Sequence, residues 1–330
     1  MRSQRRLGVF LALLLIPAAF ALSACGSKKK TSSSTTASTT TAAPAAGAIS
    51  SNPANAKVTI TVGSKNFTEQ KVLGEIDAQA LAAAGYQVKK QLNLGDEKTA
   101  LKALKAGAIS GYPEYTGTAL GSFFNVKSSA IPKDPTKAYD LVKADFAKQG
   151  LTALPPTPFT SSNEVALTKQ KAAALGGITK ISDLSSKAGQ LTLYGSPECR
   201  QREDCLLGLQ HVYGLKFKKF VPVAIDLRHE VLDKGQADVS IVFTTDPQIK
   251  RNGYVLLKDD KGMFPPYNST FVVRDDVIKQ AGPDLAKTIE LAQKGLTADV
   301  MQELNARVDL DKKTPAVVAG EYLKESGLVK

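Results

Sequence analysis

Three short stretches carry the residue types that could handle a small charged solute. GYPEYTGTAL, from Gly111 to Leu120, sets Tyr112 and Tyr115 around Pro113 and Glu114 and follows them with Thr116, Gly117 and Thr118. A tyrosine face attracts a cation by roughly 0.5–2 kcal/mol per well-placed contact, and several faces can enclose a quaternary ammonium, which has no N–H to offer. Pro113 and Gly117 read as turn-setting residues, so the stretch is expected to be a loop that holds Tyr112 and Tyr115 in fixed directions, with Tyr112 packing. VGSKNFTEQ puts Lys65 just before a helix whose free N–H groups favour an anion, so a carboxylate there would meet an ammonium and a dipole together. The bland alternative for Lys65 is a surface lysine beside a capping box. Arg202, in ECRQREDC, has a planar guanidinium that can bind a carboxylate through two hydrogen bonds.

Enzyme chemistry finds no support. The chain has no GxSxG elbow, no HExxH and no P-loop, and His229 in DLRHEVL is a lone histidine that reads as a surface or packing residue. Glu114 and Asp246 read as structural acids. No catalytic residue, metal ligand or cofactor is therefore expected.

The first residues speak for export. Arg2, Arg5 and Arg6 precede an apolar stretch from Leu7 to Ala21 and then LSAC, Leu22 to Cys25, which resembles a bacterial lipoprotein signal. The resemblance implies loss of residues 1–24, lipid on Cys25 and anchoring on the extracytoplasmic face of the cell membrane. Residues 25–56, rich in Ser, Thr, Ala and Pro, are expected to be a disordered tether. Loss of the signal removes three arginines and no acid, so the formal charge falls from +12 to +9. No basic run is interleaved with aromatics, so nucleic acid is not an expected partner. With Cys25 on lipid, Cys199 and Cys205 form an even pair in an oxidising compartment and are expected to be a disulfide. The rival is a metal site, for which only His211 and His229 are available and no CxxC occurs.

The elements that must position these residues alternate. VTITV, Val58 to Val62, reads as a buried strand running into Gly63. Asn66 and Glu69 suggest a capping box, and Val72, Leu73, Ile76, Ala80 and Ala84 recur at helical spacing. A strand near residues 86–92 and a helix near 98–106 repeat the pattern, and Asp134–Pro135 opens a further helix ending at Gly150. This order predicts an α/β fold with largely parallel sheets. LPPTPFTSSNEVALT from Leu154 and MFPPYNSTFVVR from Met263 interrupt it and read as two crossovers between lobes. The expected division is residues 57–162 with 267–330 in a discontinuous first lobe, and residues 163–266 in the second.

GSKNFTEQ, GYPEYTGTAL, RQRED, FTTDPQI and FPPY together resemble the substrate-binding lipoproteins of ABC importers for glycine betaine, choline and carnitine, of the ProX/OpuC type. The resemblance covers the body from Lys57 onward and implies a type II periplasmic-binding-protein fold, two lobes with a central cleft and two crossover strands. It further implies that an osmolyte is trapped in that cleft and delivered to an ABC permease with its ATPase subunits, by a receptor expected to be monomeric. Carried over by position, Tyr115, Phe243 and Tyr267 match cage aromatics, and Lys65, Thr118 and Arg202 match polar positions around a carboxylate. At the first crossover Asn163 opens NEVAL, and Val165 stands where a cage tyrosine is common, which leaves an aliphatic fourth wall. That departure keeps a different solute (an amino acid, a polyamine or an aromatic compound) as the alternative ligand.

Overall fold

The computed structural model describes residues 47–330. The signal segment 1–24, Cys25 and most of the tether lie outside the described residues. Ten strands follow in chain order: β1 (Thr59–Gly63), β2 (Gln87–Gln91), β3 (Gly111–Tyr115), β4 (Leu151–Ala153), β5 (Asn163–Leu167), β6 (Thr192–Gly195), β7 (Lys219–Pro222), β8 (Val239–Phe243), β9 (Val255–Leu257) and β10 (Ser269–Arg274). They form two sheets, ordered β2-β1-β3-β10-β4 and β7-β6-β8-β5-β9. Within each, the strands made locally run parallel, and one strand arriving from the other lobe, β10 or β5, runs antiparallel beside them. A crossover strand enters its sheet from the cleft side, where the parallel strands end, so it must run the opposite way. This is the type II architecture expected from the two proline-marked segments. The crossovers pair with each other through an antiparallel bridge between Thr160 and Asn268, and Ser161 N–H donates to Tyr267 O at 3.1 Å.

GYPEY is not the loop expected from its proline and glycine. It is β3, buried at every residue and paired with β10 from Gly111–Val273 to Tyr115–Ser269. Proline lacks a ladder donor and is ordinarily kept out of central strands. Thr116 N–H donates toward β10, to Asn268 O at 3.1 Å, so by the two-residue alternation the Pro113 nitrogen faces the other side, where β1 pairs with β3 only at Val62–Gly111. Gly117 has no unusual φ either. Its role is close approach, because a Cβ there would sit 2.7 Å from Pro266 O and 2.9 Å from the Tyr267 ring.

Helix α1 (Thr68–Ala83) starts at Phe67 without a side-chain cap, so the Asn66–Glu69 box does not form. Glu69 turns inward instead. Helix α2 (Glu97–Lys105) is capped by Asp96, which accepts from Thr99 N–H at 2.8 Å. The end of the expected tether is packed: Pro53–Lys57 form a 3-10 turn, Asn55 is buried and donates to Ala84 O at 2.9 Å, and Ile49 N–H donates to Leu328 O at 2.8 Å. Small polar residues can be ordered where neighbouring backbone carbonyls accept from them, which composition alone does not reveal. Cys199 and Cys205 are joined by a disulfide, with Cα atoms 5.2 Å apart, and Arg202 lies in the loop between them.

In the first lobe Asp77, on α1, is fully buried against Gln293, whose Nε2 donates to Asp77 Oδ1 at 2.9 Å; Asp77 Oδ2 and Gln293 Oε1 have no partner. Burial pushes the Asp77 carboxyl up to about 8 despite that bond. A carboxyl that holds its proton more tightly folded than unfolded stabilises the fold fully below its unfolded value and loses that contribution as pH rises toward about 8. We therefore expect the urea midpoint of the wild type to fall between pH 5 and pH 9 relative to that of Asp77→Asn; parallel pH profiles would refute the assignment. For the disulfide, closure of so short a loop is worth about 2 kcal/mol. The Cys199→Ser, Cys205→Ser double variant should lose that much stability in urea titration.

Candidate functional site

A cavity of about 80 Å³ opens between the lobes at the carboxyl ends of β1, β3 and β8, where α/β sheets hold ligands. Lys65, Phe67, Tyr115 and Thr118 line it from the first lobe, Asn163, Arg202, Arg228 and Phe243 from the second, and Tyr267 from the returning crossover. All the expected site residues except Val165 meet here. Val165 is fully buried in β5 between Ile241 and Leu257 and belongs to the core beneath the cavity. The β5 residue that reaches the cavity is Asn163, at the cleft end of the strand.

The ring missing at Val165 is supplied from elsewhere. Phe67, inside GSKNFTEQ, stacks on Tyr115 at 6.3 Å between centroids and tilts against Phe243 at 5.6 Å. It thereby joins a ring of the first lobe to a ring of the second. Two ring faces already carry cations of the protein: Lys65 Nζ is 4.6 Å from the Tyr115 centroid, and the Arg228 guanidinium is 4.5 Å from that of Phe243. One face of each of these two rings therefore already meets a cation of the protein.

Each cation in the site is tied to a carboxylate. Lys65 pairs with Glu114, which has no exposed surface and also accepts from Tyr112 Oη at 2.8 Å and Tyr115 N–H at 2.7 Å. Arg202 grips Asp204 through Nε and Nη2, and it reaches across the cleft to Glu97 Oε1 at 3.3 Å and Thr118 Oγ1 at 3.4 Å. Arg228 grips Asp246 in the same two-bonded way, and His229 Nε2 lies 3.0 Å from Asp246 Oδ2. His229 is accordingly buried, not a surface residue. Burial alone would raise the Asp204 and Asp246 carboxyls, but the arginines outweigh it; Asp204 is lowered and Asp246 held at about 2, so both stay ionised.

The tyrosines are held at both ends. Tyr115 Oη donates to Glu69 Oε1 at 2.6 Å, and Asn305 Nδ2 donates both to Glu69 Oε2 at 2.9 Å and to Thr245 O at 3.2 Å. Burial raises the Glu69 carboxyl and lifts the Tyr115 hydroxyl well above its usual value. Tyr267 Oη donates to Asp204, and Asn163 Nδ2 donates to Asp204 O at 3.0 Å. Both phenols of the lining are thus tied to carboxylates. Sequence reasoning missed Phe67, Glu97 and Arg228. Phe67 lay within a quoted motif; Glu97 and Arg228 have no local signal, since their partners are 105 and 18 residues away.

Residues 58–325 match the family described as the substrate binding domain of ABC-type glycine betaine transport system. The chain is 34% identical over 295 residues to the glycine-betaine-binding protein of Pseudomonas aeruginosa, with 86% of this chain and 93% of that protein covered. It is 30% identical over 287 residues to the ergothioneine transport permease/ergothioneine binding protein EgtU of Helicobacter pylori, covering 86% of this chain and 51% of that longer protein. Among solved structures, a glycine betaine/carnitine/choline ABC transporter aligns with a TM-score of 0.64 and 27% identity, over 81% of this chain and 98% of that one. With a family match that spans nearly the whole described body, the chain belongs to the substrate-binding domains of ABC-type glycine betaine transport systems.

Proposed function

We propose that the protein is the solute receptor of an ABC importer, that it captures a quaternary-ammonium osmolyte such as glycine betaine, choline or carnitine in the interlobe cleft, and that it passes the osmolyte to the permease. The observation that carries this reading is the convergence of Phe67 and Tyr115 from one lobe with Phe243 from the other and Tyr267 from the crossover on a single cavity. Rings contributed by both lobes bind a cation fully only when the lobes are together, so ligand binding shifts the population toward the closed form. The lobes are taken as residues 57–162 with 267–330, and residues 163–266. The receptor is monomeric, catalyses no reaction and is held on the extracytoplasmic face by lipid on Cys25. The case for another solute rested on an aliphatic wall at Val165, and Val165 is core.

Calorimetric titration with glycine betaine, choline and carnitine tests the reading. Phe67→Ala and Tyr115→Ala should each weaken the best ligand tenfold or more, about 1.4 kcal/mol. Unchanged affinity in both variants would remove the rings from the site. Val165→Tyr should yield no gain in affinity and should cost about 1–3 kcal/mol of stability by overpacking the core.

A further inference from the structure

The charges around the cavity are unequal. Lys65, Arg202 and Arg228 line it, and each is bound to a carboxylate behind it: Glu114, Asp204 or Asp246. Asp96, Glu97 and Glu198 line the cavity in addition. Carboxylates therefore outnumber cations, and a ligand carboxylate finds no cation that is not already paired. The nearest to one is Arg202, whose two-bonded grip on Asp204 leaves Nη1 pointing across the cleft. Glu97 occupies that position. It sits at the first residue of α2, is 6% exposed, and its Oε1 takes Arg202 Nη1 at 3.3 Å and Ser122 Oγ at 3.2 Å. Among the described residues, its Oε2 receives no hydrogen bond.

We infer that Glu97 sets the choice of ligand: it fills the edge of Arg202 that would hold a ligand carboxylate and selects quaternary-ammonium compounds whose polar tail donates a hydrogen bond. This rests on the reading of the cleft as a quaternary-ammonium site. A second carboxylate brought to Arg202 must displace Glu97 or lie against it, and like charges so placed in a partly buried cleft repel strongly. A hydroxyl or N–H meets the opposite situation, because the spare Glu97 oxygen accepts from it. The same carboxylate adds attraction for the cationic head.

The test is titration calorimetry of choline and glycine betaine against the wild type, Glu97→Gln and Glu97→Asp, with thermal unfolding of each as a check on folding. The wild type should bind choline at least tenfold tighter than glycine betaine. Glu97→Gln should weaken choline tenfold or more and strengthen glycine betaine at least threefold; Glu97→Asp, which keeps the charge, should keep the choline preference. Opposite shifts for the two ligands cannot arise from a general loss of structure. A wild type that binds glycine betaine as tightly as choline, or a Glu97→Gln variant that moves both ligands in the same direction, would overturn the inference and leave the quaternary-ammonium reading standing. A wild type that binds carnitine but neither choline nor glycine betaine would likewise overturn the inference alone; one that binds none of the three would overturn that reading itself.

Discussion

A carboxylate with no exposed surface organises the motif on which this site is built. Glu114 lies buried in β3 with Lys65, the Tyr112 hydroxyl and the Tyr115 backbone N–H all reaching it. Removing one partner from such a buried pair typically costs about 3–5 kcal/mol, because the other charge is left uncompensated. The requirement ties the exit of β1, where Lys65 lies, to the end of β3, where Tyr115 begins the cleft wall. The two tyrosines of GYPEY are thus held by one buried carboxylate and not by turn geometry, while Pro113 is tolerated because β1 has already ended beside it.

The same principle recurs on the facing lobe. Arg202 with Asp204 and Arg228 with Asp246 are two-bonded pairs that bring cations to the cleft already neutralised. Arg202 then reaches across to Glu97 and Thr118, while the Arg228 guanidinium lies over the Phe243 ring of its own lobe, which Phe67 touches from the other. Tyr267 donates to Asp204 from the returning crossover, so the hinge itself belongs to this network. The lobes also meet through apolar packing, since one buried cluster runs from Phe67, Val72 and Tyr115 of the first lobe to Val165, Ile241 and Leu257 of the second.

Much of the fold was legible because its signals are local. The strand at Thr59–Gly63, the helix opened by Asp134 and Pro135, and the two proline-marked crossovers follow from side-chain period, capping and backbone restriction, all of which act within a few residues. Short edge strands such as β4, β7 and β9 carry no such pattern, since each is only three or four residues long. GYPEY was misread for a related reason. Its proline signals a turn locally, and only the early end of β1 makes a strand proline harmless there.

The site divides along the same line. Sequence by itself determined which residue types are present and which motifs they sit in, and that was enough to bring Lys65, Tyr115, Thr118, Asn163, Arg202, Phe243 and Tyr267 forward as a group that proved to share one cavity. Only the tertiary structure decided what each group is free to do. Whether a lysine offers its charge to a ligand depends on a carboxylate 49 residues away, and whether an arginine is open depends on a glutamate across the cleft. Val165 and Phe67 exchanged roles for the same reason: strand pairing sank the valine into the core, while the uncapped start of α1 brought the phenylalanine ring to the cleft. Electrostatic pairing and burial are properties of residues distant in the chain, so they are settled only when the chain has folded.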